Sequence, residues 1–162
     1  MDTRERDYDQ IRNLFARYNQ SYDFGDAAGV AALFTPNGVL DTTAAAPDLG
    51  GVYRGIGEIQ GHVLASAEYF KGRVRTSTVQ SVVDLHGDVA RATSYVLVTR
   101  DYGPPELPGD LTHSELLSTG MYFDELHREG DGWKFTRREY RNDAHEDVLG
   151  RVGQRTREEV AR

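Results

Sequence analysis

Two phenols four residues apart and a carboxylate beside the second stand in "FARYNQSYDFGD", residues 15–26, as Tyr18, Tyr22 and Asp23. At that spacing the tyrosines lie one above the other on a helical face shared with Leu14 and Phe15. A buried tyrosine needs a partner for its hydroxyl. Two readings are open. The hydroxyls can reach a pocket rim or a backbone carbonyl, or they can line a cavity and donate hydrogen bonds to a ligand oxygen. A phenol aimed at a developing oxyanion is a strong electrostatic device in a dry site. Asp23, if desolvated, becomes a candidate general base near neutral pH. It reaches a cavity only near the helix end, where "FGD" bends the chain, and it can equally pair with a strand arginine such as Arg138.

The other chemistry-bearing residues are more scattered. The histidines are His62, His86, His113, His127 and His145, and none stands in a zinc-protease spacing. "HSE" (His113, Glu115) and "HED" (His145, Asp147) are pairs common on surfaces, so no metal is expected. His113 is placed where a Pro/Gly loop enters a strand, at the rim of a pocket, and is a catalytic candidate. "GIGEIQG" has Gln60 where a dinucleotide fingerprint needs its third glycine, and no βαβ pattern flanks it. No G-x-S-x-G elbow is present. No cofactor is expected. In "FTRREYRND" the arginines alternate along a strand, forming a solvated face unless Arg138 or Tyr140 points inward.

These side chains need a scaffold, and 162 residues suit one domain with one core. Net charge is −7, from 19 basic and 26 acidic residues, which disfavours nucleic acid as a partner. Cysteine is absent, so disulfides and thiolate metal sites are excluded. The charged start "MDTRERDYDQ" does not read as a signal peptide, and no apolar run approaches the roughly 20 residues of a membrane span. A cytoplasmic protein without membrane contact is the expectation.

Ile11, Leu14, Phe15, Tyr18 and Tyr22 recur at spacings of three and four, predicting a first helix over about 4–24. Asp26 suits the N-cap of a short second helix running through Phe34, broken by "TPNG". "VLDTT" reads as a short strand. Ile56, Ile59, Val63, Ala67 and Phe70 share a face of a third helix. Strands follow over 73–85 and 88–102, joined by a tight hairpin at "LHGDV", then over 113–128 and through "WKFTRREYRND". Residues 1–142 form the domain, and 143–162 are a polar tail compatible with a helix. Helices first and antiparallel strands afterwards mean α+β. A curved antiparallel sheet wrapped around three N-terminal helices encloses a conical pocket, the usual kind of ligand site. Alternation puts Thr76, Thr78 and Gln80 on one strand face.

In order, spacing and turns, the chain resembles the SnoaL-like branch of the NTF2-like superfamily, with its cystatin-like α+β barrel. The resemblance is carried by "FARYNQSYDFGDAAGVAALFTPNGVLDT", "YRGIGEIQGHV", "RTSTVQSVVDLHGDVARATSYVLV" and "TGMYFDELHREGDGWKFTRREY". It implies an internal pocket and a homodimer formed through the open sheet face, to which Val79, Val83, Leu85 and Val98 are assigned. Tyr18 falls where ketosteroid isomerase keeps its oxyanion tyrosine. That enzyme's base falls near Thr42, with Asp41 just before it, and its protonated aspartate near Thr119. Tyr22 and Asp23 match the tyrosine–aspartate pair of scytalone dehydratase, whose two histidines fall near Thr76 and Thr99. Many SnoaL-like enzymes have Arg-His where this chain has Arg75-Thr76, which implies that the face of Thr76, Thr78 and Gln80 points into the cone. The resemblance thus implies Tyr18, Tyr22, Asp23 and Asp41 as catalytic candidates, beside His113 from its place at the end of the loop. Thr42, Thr76, Thr99, Thr119, Tyr122, Arg138 and Tyr140 are candidates for substrate contact. The implied activity is that of a cofactor-independent lyase, isomerase or cyclase acting on a hydrophobic small molecule of a biosynthetic pathway. The alternative is a non-catalytic small-molecule-binding or dimerisation module of the same fold.

Overall fold

The computed structural model describes residues 3–45, 49–101 and 114–143. His113 and nearly all of the polar tail lie outside them. Helix α1 (Thr3–Asp23) buries Asp7, Ile11, Leu14, Phe15, Tyr18, Asn19 and Asp23, a stripe at helical spacing. It ends at Gly25, whose φ of +70° suits glycine. A Cβ at Gly25 would stand 2.9 Å from the Ala67 side chain, so the same residue lets two helices approach closely. Asp26 then caps the short helix α2 (Ala27–Ala31), accepting from the Gly29 amide at 2.9 Å.

Strand β1 (Phe34–Ala44) follows at once. The second helix thus stops before Phe34, and "TPNG" lies inside a strand instead of breaking a helix. Tertiary pairing overrides the local signal here. Phe34 is buried against Phe135, and the Phe135 amide donates to the Leu33 carbonyl. Pro36 falls within a register irregularity and beyond the short reach of β2 (Val52–Arg54), where a missing N–H costs little. Helix α3 (Gly55–Phe70) is followed by β3 (Val74–His86), β4 (Val89–Asp101), β5 (Ser114–Glu129) and β6 (Gly132–Asn142). The β3–β4 hairpin turns at Gly87 and Asp88, as its sequence predicts.

The strand order is β2-β1-β6-β5-β4-β3 in one curved, unclosed sheet. Every neighbouring pair is antiparallel except β1 and β6, which run parallel. The architecture is α+β, with helices packed on the inner face over Leu40, Ala90, Ala92, Val96, Leu126 and Phe135. Thr76 and Thr78 are half-buried on that face, and the Thr78 hydroxyl receives a bond from the Asn19 amide at 3.0 Å. Gln80 does not join them. A bulge between Val79 and Val82, with Gln80 at φ +49°, turns it to solvent. The residues expected on the outer sheet face are corrected as well: Val83, Leu85 and Val98 pack on the core, while Val79, Val82, Tyr95, Leu97 and Leu116 are exposed.

Candidate active site

The last turn of α1 and the middle of α3 bring three polar side chains into the core. The Tyr22 hydroxyl lies 2.8 Å from Nε2 of His62 and is hydrogen-bonded to it. Tyr53 stacks on the His62 ring at 4.2 Å, fixing its plane. Burial drives the His62 imidazole down to about 4, so it is neutral at pH 7. Burial pushes the Tyr22 phenol up to about 12, offset in part by a hydrogen bond with Ser66. The pair therefore holds a single phenol proton. It can sit on the oxygen and point at Nε2. With the other imidazole tautomer, Nε2–H donates to the phenol oxygen and frees the phenol proton for a ligand.

Asp23 follows directly. Its Oδ2 accepts from the Thr76 amide at 2.7 Å, tying helix to strand, while its buried Oδ1 has no protein partner. Burial raises the carboxyl to about 6, with the Thr76 hydrogen bonds and the Arg75 charge pulling the other way. A carboxylate tuned so close to neutrality is suited to taking and returning a proton. Tyr22, Asp23 and Ser66 border a cavity of about 10 Å³, room for roughly one water.

Tyr18 lies one turn earlier, stacked on Tyr22 at 5.6 Å and edge-on to Tyr122 and Phe135. Burial raises its phenol well above the usual range. Under these rings lies Arg138, 0% exposed. Its Nε and one Nη donate to the two Asp124 oxygens at 2.8 and 2.9 Å. The guanidinium carbon stands 3.9 Å from the Tyr122 ring centroid and 4.3 Å from those of Tyr18 and Phe135. Arg138 points inward, and its partner is Asp124, not Asp23. Tyr140 is half-buried beside Tyr122, its hydroxyl 3.1 Å from that of Ser118.

Other candidates do not reach this cluster. Asp41 turns to the face opposite the buried Leu40 and pairs with Arg137. Burial would raise its carboxyl, but the Thr43 hydrogen bonds and Arg137 outweigh it and hold it below the usual range. Thr42 is buried, yet its hydroxyl is spent on the Leu49 carbonyl at 3.0 Å. Thr99 bonds the Arg75 carbonyl and Thr119 the Asp143 carboxylate. Strand alternation explains all three displacements, of Asp41, Thr99 and Thr119. His62, Ser66 and Asp124 are the residues sequence reasoning missed. The signal was present for two of them, since His62 and Ser66 share the face of Ile59 and Val63.

N-terminal helices on one face of a curved, unclosed sheet make the cystatin-like, NTF2-like fold. A family model for the SnoaL-like domain matches residues 3–139, and the chain belongs to that family. Solved structures agree in fold. A protein of unknown function from Mycobacterium tuberculosis is 26% identical, with a TM-score of 0.68 over 89% of this chain and 83% of its own. An NTF2-like protein with a cystatin-like fold from Novosphingobium aromaticivorans is 20% identical, with a TM-score of 0.70 over 90% and 88%. A protein from the same organism, provisionally described as a scytalone dehydratase, is 22% identical, with a TM-score of 0.67 over 87% of each chain. No curated protein matches the chain. Among the described residues no group of three His, Asp or Glu could hold a metal ion, and no helix is long and apolar enough to cross a membrane.

Proposed function

We propose that the protein is a cofactor-independent lyase, isomerase or cyclase acting on a hydrophobic polyketide-, steroid- or terpenoid-like molecule of a biosynthetic pathway. The observation that carries this reading is the Tyr22–His62 hydrogen bond beside a buried Asp23 with one unpartnered oxygen. Tyr22 donates to a substrate carbonyl oxygen, and Asp23 takes the proton from the carbon next to it. The enolate then collapses in one of two ways. Reprotonation further along the chain by Asp23 gives an isomer. Expulsion of a β-hydroxyl, which leaves as water with the Asp23 proton, gives an enone.

The test uses a β-hydroxy aryl ketone and a β,γ-unsaturated ketone, whose products both absorb in the near ultraviolet. Wild type should accelerate at least one. Tyr22→Phe and Asp23→Asn should each slow it by on the order of a hundredfold at unchanged melting temperature. The double variant should be scarcely worse than either single, because groups acting as a unit are non-additive. Full activity in both singles, or no acceleration of either ketone, refutes the reading.

The size of the cavity, about 10 Å³, favours a second reading, a non-catalytic binding or dimerisation module. In either case a homodimer through the outer sheet face is proposed. Exposed Val82, Tyr95, Leu97 and Leu116 support it.

A further inference from the structure

Two arginine–aromatic pairs frame the lip of the Asp23 cavity, which is formed by Phe70, Gly72 and Val74. On one side the Arg75 guanidinium lies 4.8 Å over the Phe24 ring. On the other, Arg100 stands directly across the ladder from Val74 and 5.9 Å from the Phe70 ring. The lip segment is "KGRVR", residues 71–75, with three cations in five positions of a chain whose net charge is −7. Lys71 is neutralised by Glu68. Among the described residues Arg73 and Arg75 form no ion pair with a carboxylate. Arg75 instead donates to the carbonyl oxygens of Gly72 and Val74, at 2.9 and 2.7 Å, which hold its charge at the lip. Phe24, 71% exposed, keeps a bare aromatic face in the same place.

A planar guanidinium matches a carboxylate in shape and charge, and its flat face matches an aromatic ring. A neutral ligand would use only the second property. We propose that the lip recognises the carboxylate of an aromatic acid. The ring packs on Phe24 and Phe70, the carboxylate pairs with Arg73 and Arg75, and the remainder of the molecule extends to Asp23. The inference rests on the reading of the Asp23 cavity as the active site and narrows its substrates to aromatic carboxylates. It also sets orientation, since the Asp23 charge repels the acid end from the cavity floor and the arginines hold it outside.

The matched probes are 2-naphthoate and its neutral analogue 2-naphthamide, titrated into the full chain and followed by amide NMR shifts at low salt. Naphthoate should bind about tenfold more tightly, with shifts centred on residues 70–75, as expected of two partly exposed ion pairs. The preference should fall toward unity in the Arg73→Gln/Arg75→Gln variant and shrink in molar salt. Equal affinities, a preference unchanged in that variant, weak binding of both probes, or shifts centred on a separate pocket lined by Arg4, Arg6 and Arg128 at the start of α1 would each overturn the inference. Tyr22→Phe should keep the preference. Failure of the catalytic reading therefore leaves acid preference without turnover, whereas failure of this inference leaves turnover without acid preference.

Discussion

Replacing Arg138 by Met would strip the buried Asp124 of its only ion-pair partner among the described residues. Asp124 is 3% exposed, with its side chain shut off from bulk solvent. Breaking such a pair on one side costs about 3–5 kcal/mol, a large share of the roughly 5–15 kcal/mol that holds a domain together. For a domain of this size the loss corresponds to a drop of about 6–20 °C in melting temperature. Methionine keeps the unbranched stem that packs under Phe15, Tyr18, Tyr122 and Phe135, so the lost charge dominates the effect. The compensating double variant, Arg138→Met with Asp124→Leu, removes both charges and leaves neither stranded. It should recover most of the loss and can exceed wild type. The assay is thermal and urea unfolding of all four proteins at pH 7, combined in a double-mutant cycle. A coupling of at least about 2 kcal/mol is expected. If the double variant is as unstable as the sum of the two singles, the pair is not a coupled unit and the reasoning fails.

Two further outcomes follow from the site and the sheet. Asp23, raised to about 6, contributes stability present below its unfolded value of 3.8 and lost as pH rises through 6. His62, lowered to about 4, contributes stability present above 6.5 and lost as pH falls through 4. The two slopes oppose each other between pH 4 and 6, so wild type should look flat there. Asp23→Asn should then gain stability as pH rises across that window and His62→Gln should lose it, as read by urea midpoints; parallel slopes in the two variants would contradict the assignment. Light scattering at micromolar concentration should report a dimer that Tyr95→Glu converts to a folded monomer, because a buried unpaired carboxylate is costly at an interface. A monomeric wild type would end that proposal.

Much of the fold was legible because it rests on local periodicity. The α1 stripe, the third helix and the Gly87 hairpin each announce themselves within a dozen residues. Tyr22 and Asp23 were legible for the same reason. His62 was passed over because a neutral imidazole on an apolar helical face looks like core, and only its partner across the fold shows its use. Arg138 and Asp124 face each other through the β5–β6 register. Each strand alone shows a charged residue at an inward position, but the pairing needs both strands and the bulge beside Glu125. Asp41 and Gln80 were misplaced by the opposite route, the first by a resemblance that put a base one residue away at Thr42 and the second by a bulge that resets the alternation.

Strand β6 occupies an unusual position for the last strand described. It lies between β1 and β5, so two strands made early, β1 and β2, meet the β3–β4–β5 meander only through it. As the chain leaves the ribosome, the meander can zip by local hairpins and α1 can pack on β3 through Asn19 and Asp23, while β1 and β2 have no neighbouring strand to join but each other. Their joining waits for residues 132–142, and a loop spanning most of the domain must close at that moment. Until then Phe15, Tyr18 and Phe34 lack the Phe135 ring they pack on, and a nascent domain with apolar surface still open is the one most exposed to aggregation.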